Sequence, residues 1–454
     1  MKIYPSHYCG VFAVKDVPNA ARYVGSGLYA LQHRGQESAG IISTNGDDFF
    51  EHKEMGLVPQ VFSDKILRSL KGAMAIGHNR YATTGGSEVK NAQPIFVSCK
   101  RGLIALAHNG NLTNTRALRA DLENKGAAFQ TTTDSEIMLL LLAQSEAPLS
   151  EAVLKMMEKV EGSYSIIIMT PDTLIAARDP HGFRPLSIGT LDGNPIISSE
   201  TCAFDVISAR FERDVEPGEV VVFHGNKMET HMLPRSNSEQ TLEHFCAFEK
   251  IYFARPDSIM DGKSVYSTRF AMGEKLAEEY PIDADIVVPI PDGGVCAAMG
   301  FAKARQMELV QAFVRNHYVG RSFISPTQSG RDVAVNFKLN LIPELVKGKR
   351  VVVVDDSIVR GTTSHARVKT LKAAGAREVH MLISCPPHKH PCHYGIDFPD
   401  PTKLIATKSS KEQIRITLGL DSLGYLSEAG LVATLGAKGH CLACFNGSYP
   451  LVPK

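Results

Sequence analysis

Two places in this chain carry residue types that can do chemistry. Near the start, Cys9 follows the segment Met1 to Tyr8. Removal of that segment would give Cys9 a free α-amino group. Such an amine, with a pKa of about 7.7–8.0, can take the proton of its own thiol. With the segment attached, the same nitrogen is an amide and cannot. Far downstream, the valine run Val351 to Val354 ends in Asp355 and Asp356, and Ser357 to Ser364 follow with Gly361 among several hydroxyls. This reads as a buried strand with two carboxylates at its carboxyl end, the edge where open α/β sheets bind ligands. The loop and helix start behind it gather backbone N–H groups for an anion. Two adjacent like charges call for a cation or a diol. The segment Ser357 to Ser364 holds no Gly-Lys-Ser/Thr, so the loop is not of the Walker type. One chain with both features suggests that a group freed at the first site is used at the second.

Two further clusters suit amide hydrolysis. His78-Asn79-Arg80 ends an apolar run, and Arg80 can fork onto a carboxylate. His108-Asn109-Gly110-Asn111 follows another run. The Asn109 amide and the Gly110 N–H could form an oxyanion hole. Taken alone, Asn-Gly reads first as a hairpin turn. Asp134 alone reads as a helix N-terminal residue.

The elements that position these groups fall into two sets. Gly10–Val14, Met74–Gly77, Leu103–Leu106 and Tyr164–Ile168 read as strands, with helices around Ala20–Leu31, Ile137–Leu142 and Ala152–Met157. Strands grouped in this way predict a layered α+β domain. After it, Ile286–Ile290, Leu309–Val314, Val351–Val354 and Val379–Ser384 alternate with helices near Cys296–Arg305 and His365–Ala374, which predicts a parallel doubly wound α/β sheet. The polar stretch from Gly225 to Glu243 is the expected boundary. A chain of 454 residues fits two domains. A net charge of +1 gives no electrostatic case for nucleic acid or a membrane surface. No apolar run is long enough to span a bilayer, and a cytoplasmic location is expected. Tyr318 to Lys338 is polar and aperiodic, equally an active-site lid or a solvated loop.

The motifs around Cys9 go further. Cys9-Gly10-Val11-Phe12, Leu31 to Gly40, His78 to Gly85, Ala107 to Asn111 and Thr133 to Glu136 resemble the glutaminase domain of class II glutamine amidotransferases. The resemblance implies an N-terminal-nucleophile hydrolase fold. It also implies Cys9 as nucleophile, Arg80 on the glutamine α-carboxylate, Asp134 on its α-amino group, and Asn109 with Gly110 on the oxyanion. The run from Val351 to Ser364 resembles the phosphoribosyl pyrophosphate signature of type I phosphoribosyltransferases. That implies Asp355 and Asp356 on the ribose hydroxyls and the Mg²⁺ shell, and Ser357, Arg360, Gly361, Thr362 and Thr363 at the 5-phosphate. Asp292, Gly293 and Gly294 look like the pyrophosphate loop, and the segment from Tyr318 looks like the lid. Together, and with Gly182 to Leu186, Ser199 to Ala203 and Tyr252 to Ser258, the chain resembles the amidophosphoribosyltransferase family. The implied division is a propeptide over 1–8, a glutaminase domain over 9–240 and a phosphoribosyltransferase domain over 241–454. The implied reaction turns glutamine, phosphoribosyl pyrophosphate and water into 5-phosphoribosylamine, glutamate and pyrophosphate. One Mg²⁺ per subunit, purine nucleotide feedback inhibitors and a homotetramer are implied as well. A non-catalytic phosphoribosyl-ligand sensor is the competing reading, and the intact Cys9, Arg80, Asp355 and Asp356 argue against it. Another class II amidotransferase is the third, and the Asp355-Asp356 signature argues against that.

Nine scattered cysteines do not form a disulfide framework. Cys99, Cys202, Cys296 and Cys385 read as small buried apolar residues. Cys246, Cys392, Cys441 and Cys444 as four thiolates suit zinc first, or an iron–sulfur cluster. The resemblance reverses that order, because the four match the ligands of a family branch with one [4Fe–4S] cluster per subunit and a short propeptide. One departure stands out. The family position that usually carries a serine, beside the metal and pyrophosphate, is Gly293 here.

Overall fold

The strand beside Cys9 runs Gly10–Val14, and every residue of it is buried. It is covered on both faces because it lies inside a stack of four layers. The chain is described by a computed structural model over residues 9–81, 86, 88–234, 243–316, 339–396 and 400–452. One antiparallel sheet has the spatial order Arg210–Asp214, Ser187–Leu191, Asn194–Ser198, Gly10–Val14, Met74–Arg80, Ser38–Thr44, Phe49–Met55. The second runs Lys227–Met232, Glu219–His224, Thr173–Arg178, Gly162–Met169, Gly102–Leu112, Ile95–Cys99. Side chains alternate along a strand. Val11 and Ala13 therefore meet Ala105, Ala107, Ile167 and Val221 of the second sheet. Phe12 and Val14 face the other way, onto Val24 and Leu28 of the helix Ala20–Ala30. The outer face of the second sheet packs on Met138, Leu142, Val153 and Met156 of the helices Ser135–Gln144 and Leu149–Lys159. This helix–sheet–sheet–helix order is the N-terminal-nucleophile hydrolase architecture.

Some local expectations change. Gly102–Leu112 runs straight through Asn109-Gly110, where Asn109 pairs with Ser165 and Gly110 with Tyr164. The turn preference of Asn-Gly is overridden by the partner strand, whose ladder bonds a turn would forfeit. The stretch from Gly225 to Glu243 is not one linker, because Lys227–Met232 pairs with Glu219–His224 as the edge of the sheet. It reads as polar because it is mostly exposed. The chain passes to the second half after Pro234, and residues 235–242 lie outside the described ones, as do the expected propeptide and the expected lid from Tyr318 to Lys338.

The second half is built on a sheet whose strands are all parallel, in the order Glu308–Leu309, Ile286–Pro289, Arg350–Asp355, Glu378–Ile383, Ser422–Tyr425. The valine run is its central strand and is fully buried, which is why it reads as continuously apolar. The single strand expected over Leu309–Val314 is two. Glu308–Leu309 takes the sheet edge, and Phe313–Arg315 pairs antiparallel with Leu339–Leu341. A tight turn closed by Ala312 N–H on the Val310 carbonyl at 2.9 Å separates them. The helix expected from His365 begins at Thr362. Cys202, Cys296 and Cys385 are buried as expected, whereas Cys99 is only half-buried.

A buried ionic network joins the halves. Arg34 Nε donates to the Cys9 carbonyl at 3.1 Å, and Arg34 Nη2 reaches Glu249 Oε1 and Oε2 at 2.8 and 3.0 Å. Arg34 Nη1 also pairs with Glu200. Arg184 Nη1 meets Glu249 Oε1 at 3.0 Å. Glu200 Oε2 accepts from Arg255 N at 2.9 Å and Ser258 Oγ at 2.8 Å, both in the second half. Burial alone would raise the Glu200 carboxyl, but His33 and Arg34 hold it well below the ordinary carboxylate range. A lowered folded pKa means that this ion contributes stability above the unfolded value of about 4.3, lost only as pH falls through the lower folded value. The network therefore persists in mild acid. Removing Glu249 would take a shared carboxylate from two buried guanidinium groups, leaving Arg34 with Glu200 and Arg184 with the Tyr394 carbonyl. Breaking a buried pair in this way costs roughly 3–5 kcal/mol. For a chain of 454 residues, Glu249→Ala is expected to lower the apparent Tm by about 3–5 °C, measured by circular dichroism. A change within about 1 °C would show that water takes over the carboxylate's role.

Candidate functional site

The first site forms where three strands meet. Gly10 pairs with Asn79, and Ser38 pairs with Arg80, so Arg80 stands at the same sheet end as Cys9. Cys9 is 6% exposed, with Sγ 3.9 Å from the Tyr81 carbonyl. Burial pushes the thiol up to about 11, while Arg80 and Arg34 pull it down and Asp134 pushes it up. Those charges converge on one sulfur. A thiol held so high does not ionise unaided at neutral pH and needs a base.

The opposite wall comes from the second sheet. Asn109 Nδ2 is buried and has no hydrogen-bond partner among the described residues. Buried polar groups are nearly always paired, so this donor is reserved for something that arrives. His78 ties the walls together, with Nε2 at 3.0 Å from the His108 carbonyl. Burial pushes His78 down to about 3, so the ring is neutral and, facing a carbonyl, carries its proton on Nε2. Asp134 Oδ2 accepts from Leu112 N at 2.9 Å, and Oδ1 lies 3.7 Å from His108 Nδ1. It also opens the helix Ser135–Gln144, as its sequence context predicted. Arg80 and Asp134 thus both act on the Cys9 thiol, and the His78 contact brings the His108 end of the Asn109-Gly110 strand against the strand of Arg80.

The second site lies at the carboxyl edge of the parallel sheet. Asp356 N–H donates to Asp355 Oδ1 at 2.9 Å, and Ser357 Oγ donates to Asp356 Oδ1 at 2.5 Å. Burial, and then the charge of Asp356, raises Asp355 well above the usual range. Burial also raises Asp356, against the pull of Ser357 and Arg269. Two buried carboxylates held high are a pair short of positive charge. Gly361, with φ of 77°, turns the chain into the helix Thr362–Ala373, so Arg360, Gly361, Thr362 and Thr363 gather at its amino end. The loop from Pro291 to Gly294 sits against the strand end. A side chain at Gly294 would strike the Val354 carbonyl oxygen at 2.3 Å, so only glycine fits. At Gly293 a Cβ would come within 1.7 Å of Asp356 Oδ2 and 2.8 Å of its Cγ. Gly293 therefore offers no metal-binding side chain, contrary to what its family position implies. Asp356 fills the space that a serine there would need. Asp292 pairs with Arg315.

The four matched thiols are gathered from three distant segments. Cys246 and Cys441 are in register in a short parallel ribbon. The Cys444 carbonyl accepts from Lys389 N and His390 N at 3.0 and 3.1 Å, which brings in the segment of Cys392. Tyr394 N–H points at Cys392 Sγ at 3.3 Å. Burial raises the Cys444 thiol, and the charges of Cys246, Cys441 and Cys392 raise it further. Among the described residues, no three His, Cys, Asp or Glu side chains are grouped to hold one metal ion.

Sequence reasoning missed the residues that join the sites: Arg34, Arg184, Glu200, Glu249 and Arg269. Arg269 is 3% exposed, donates to the Lys250 and Ala254 carbonyls at 2.7 and 2.8 Å, and faces Asp356. A signal existed at Glu249, a charge between Phe248 and Lys250-Ile251-Tyr252-Phe253. A carboxylate inside an aromatic run is buried and paired, or it is an error of folding.

No helix among the described residues is long and apolar enough to cross a membrane. Residues 78–206 match a glutamine amidotransferase domain family, and residues 262–399 match a phosphoribosyl transferase domain family. The amidophosphoribosyltransferase of Methanocaldococcus jannaschii is 45% identical over 97% of this chain and 97% of its own length. That of Synechococcus elongatus is 46% identical over 98% and 92%. Among solved structures, the glutamine phosphoribosylpyrophosphate amidotransferase from B. subtilis, complexed with ADP and GMP, superposes with a TM-score of 0.92 at 44% identity over 97% of both chains. With both halves matched in order and identity sustained over nearly the whole length, the chain belongs to the amidophosphoribosyltransferase family.

Proposed function

We propose that the chain releases ammonia from glutamine at Cys9 and delivers it to C1 of phosphoribosyl pyrophosphate held at Asp355 and Asp356. The overall reaction is the family's: glutamine, phosphoribosyl pyrophosphate and water give 5-phosphoribosylamine, glutamate and pyrophosphate. The observation that carries the assignment of residues is that the charges of Arg80 and Asp134 both act on the buried Cys9 thiol, and the buried Asn109 amide without a hydrogen-bond partner supports it. Arg80 pairs with the α-carboxylate and Asp134 with the α-ammonium, which sets the side-chain amide over Sγ. The α-amine of Cys9 takes the thiol proton, and sulfur attacks the amide carbon. The charge that develops on oxygen meets Asn109 Nδ2 and Gly110 N–H. The proton passes to the leaving nitrogen, ammonia departs, and water hydrolyses the thioester to glutamate.

At the second site Asp355 and Asp356 face the ribose hydroxyls. The amino end of the helix Thr362–Ala373, with Ser357 to Thr363, faces the 5-phosphate, and Asp292 to Gly294 face the pyrophosphate. The buried carboxylate pair fits a hard divalent cation with oxygen ligands. Mg²⁺, when bound, neutralises charge on the departing pyrophosphate. The thiols support the [4Fe–4S] reading. Cys246, Cys441 and Cys392 each act on the Cys444 thiol by their charge, and Cys246 stands in register with Cys441. The cluster's role is structural, tying the segments of Cys246, Cys392 and Cys441–Cys444. The B. subtilis relative complexed with ADP and GMP supports purine nucleotides as inhibitors. A cytoplasmic homotetramer that matures by loss of residues 1–8 completes the reading.

Intact-mass analysis of active enzyme should show a chain that begins at Cys9, and kcat/KM for glutamine should rise with pH to a plateau above about pH 8, as the amine loses its proton. Cys9→Ala should abolish glutamine use and keep synthesis from ammonia. Full activity with Met1 to Tyr8 retained would sink the mechanism. Anaerobically purified protein should carry iron and sulfide with little zinc, and Cys441→Ser should lower soluble yield, since metal binding is coupled to folding. Stoichiometric zinc without iron would refute the cluster. Gly293→Ser should weaken phosphoribosyl pyrophosphate binding at saturating Mg²⁺, because Asp356 must swing aside. Overpacking of this kind costs about 1–3 kcal/mol. Tighter binding would show instead that the serine hydroxyl finds a place beside the aspartate.

A further inference from the structure

The segment Cys392 to Ile396 of the second half lies directly on the strand pair that carries Asn109 and Gly110. The Tyr394 carbonyl accepts from Ser163 Oγ at 2.7 Å and from Arg184 Nε at 3.1 Å, with Arg184 Nη2 closing a fork on the same oxygen. The His393 carbonyl accepts from Asn111 Nδ2 at 2.9 Å. Asn111 and Ser163 face each other in the ladder, and Asn111 N–H also reaches Ser163 Oγ at 3.2 Å. Gly395 adopts φ of 97°, and a Cβ there would stand 3.3 Å from the carbonyl carbon of Gly110, 3.4 Å from its oxygen and 3.2 Å from Arg184 Nη2. Tyr394 is itself fixed. Its ring stacks on Phe183 with centroids 4.3 Å apart, and its hydroxyl donates to the Leu451 carbonyl at 2.6 Å.

The Gly110 backbone is therefore held on two sides. A Cβ on Gly110 would strike the Ser163 carbonyl oxygen at 2.0 Å on one side, and on the other Gly395 lies so near that a Cβ there would crowd the Gly110 carbonyl at 3.3–3.4 Å. The contacts from the second half are made by main-chain atoms, which do not change rotamer to absorb a shift. Oxyanion donors act only within a few tenths of an ångström of their productive place. We propose that Tyr394 and Gly395 are positioning residues for the oxyanion hole, so that glutamine hydrolysis at Cys9 depends on a docked 392–396 segment of the second half. This rests on Asn109 and Gly110 being the oxyanion donors. It gives the phosphoribosyltransferase half a direct mechanical hold on the glutaminase half, at a point away from the Arg34–Glu249 network.

The test uses the mature enzyme with Ser163→Ala and Gly395→Ala, assayed with glutamine and separately with ammonia. Ser163→Ala removes one hydroxyl at a fully buried site with no gain in bulk. Gly395→Ala pushes on Gly110. With glutamine, kcat should fall about 10-fold for Ser163→Ala and up to about 100-fold for Gly395→Ala, the scale expected for displaced catalytic groups. KM for glutamine should stay within about twofold, because Arg80 and Asp134 are untouched, and ammonia-dependent synthesis should be unaltered. Parallel loss of both activities, or no loss of either in Ser163→Ala and Gly395→Ala alike, would overturn the proposal. Asn109→Ala separates the two layers. If it leaves kcat with glutamine intact, the oxyanion assignment fails. If it alone lowers kcat, only the positioning role fails.

Discussion

A buried guanidinium needs a carboxylate, and a buried carboxylate needs a donor for each oxygen. Arg34 meets that requirement across the boundary between the halves. One arm holds the Cys9 carbonyl, and the others hold Glu200 and Glu249. Arg184 shares Glu249, and Glu200 continues to Arg255 and Ser258. Arg34, Arg184, Glu200 and Glu249 are buried and paired, so none can move alone without leaving an unpaired charge in a low-dielectric interior. The Cys9 backbone is therefore held by Arg34 of its own half, and Arg34 is held in turn by Glu249 of the other half.

The sites at the ends of this network have opposite electrostatic needs. At Cys9, burial suppresses ionisation of the thiol, and the neighbouring arginines offset this only in part. Beside it, the buried Asn109 amide nitrogen has no hydrogen-bond partner among the described residues. At Asp355 and Asp356, burial and mutual repulsion suppress ionisation of the carboxylates, with Arg269 behind them as partial compensation. Under the proposed function, the cation and the sugar diol answer the second deficit, and the α-amine and the amide answer the first. Such deficits are costly to fold around, which gives the surrounding ion pairs a second reason to be fully satisfied.

Much of this was legible in the residues. The alternation of Gly10–Val14, the valine run and its terminal aspartates, and the helix-capping place of Asp134 each follow from local pattern, and the structure has them where the pattern puts them. The misreadings share a cause. Asn109-Gly110 reads as a turn, Gly225 to Glu243 as a linker and Leu309 to Val314 as one strand only while neighbours are ignored. Pairing with Gly162–Met169, pairing with Glu219–His224 and the turn at Ala312 decided otherwise. The Arg34–Glu249 network was out of reach for the same reason. Its members lie 215 positions apart, and no local window holds both.

Glycines show the limit most clearly, because their contribution is space, and space has no residue type. Gly293 reads from sequence as a lost hydroxyl, a defect in a loop that elsewhere carries serine. In three dimensions the same position is where Asp356 Oδ2 has come to rest, 1.7 Å from where a Cβ would stand. The space that a side chain there would take is held by a carboxylate from the neighbouring strand end. Gly395 works by the same logic at the other site. There the absent side chain leaves room for the Gly110 carbonyl of the other half, which would stand 3.3–3.4 Å from a Cβ. In both places the substitution that looks most conservative on paper, one small residue for another, is the one that the geometry resists.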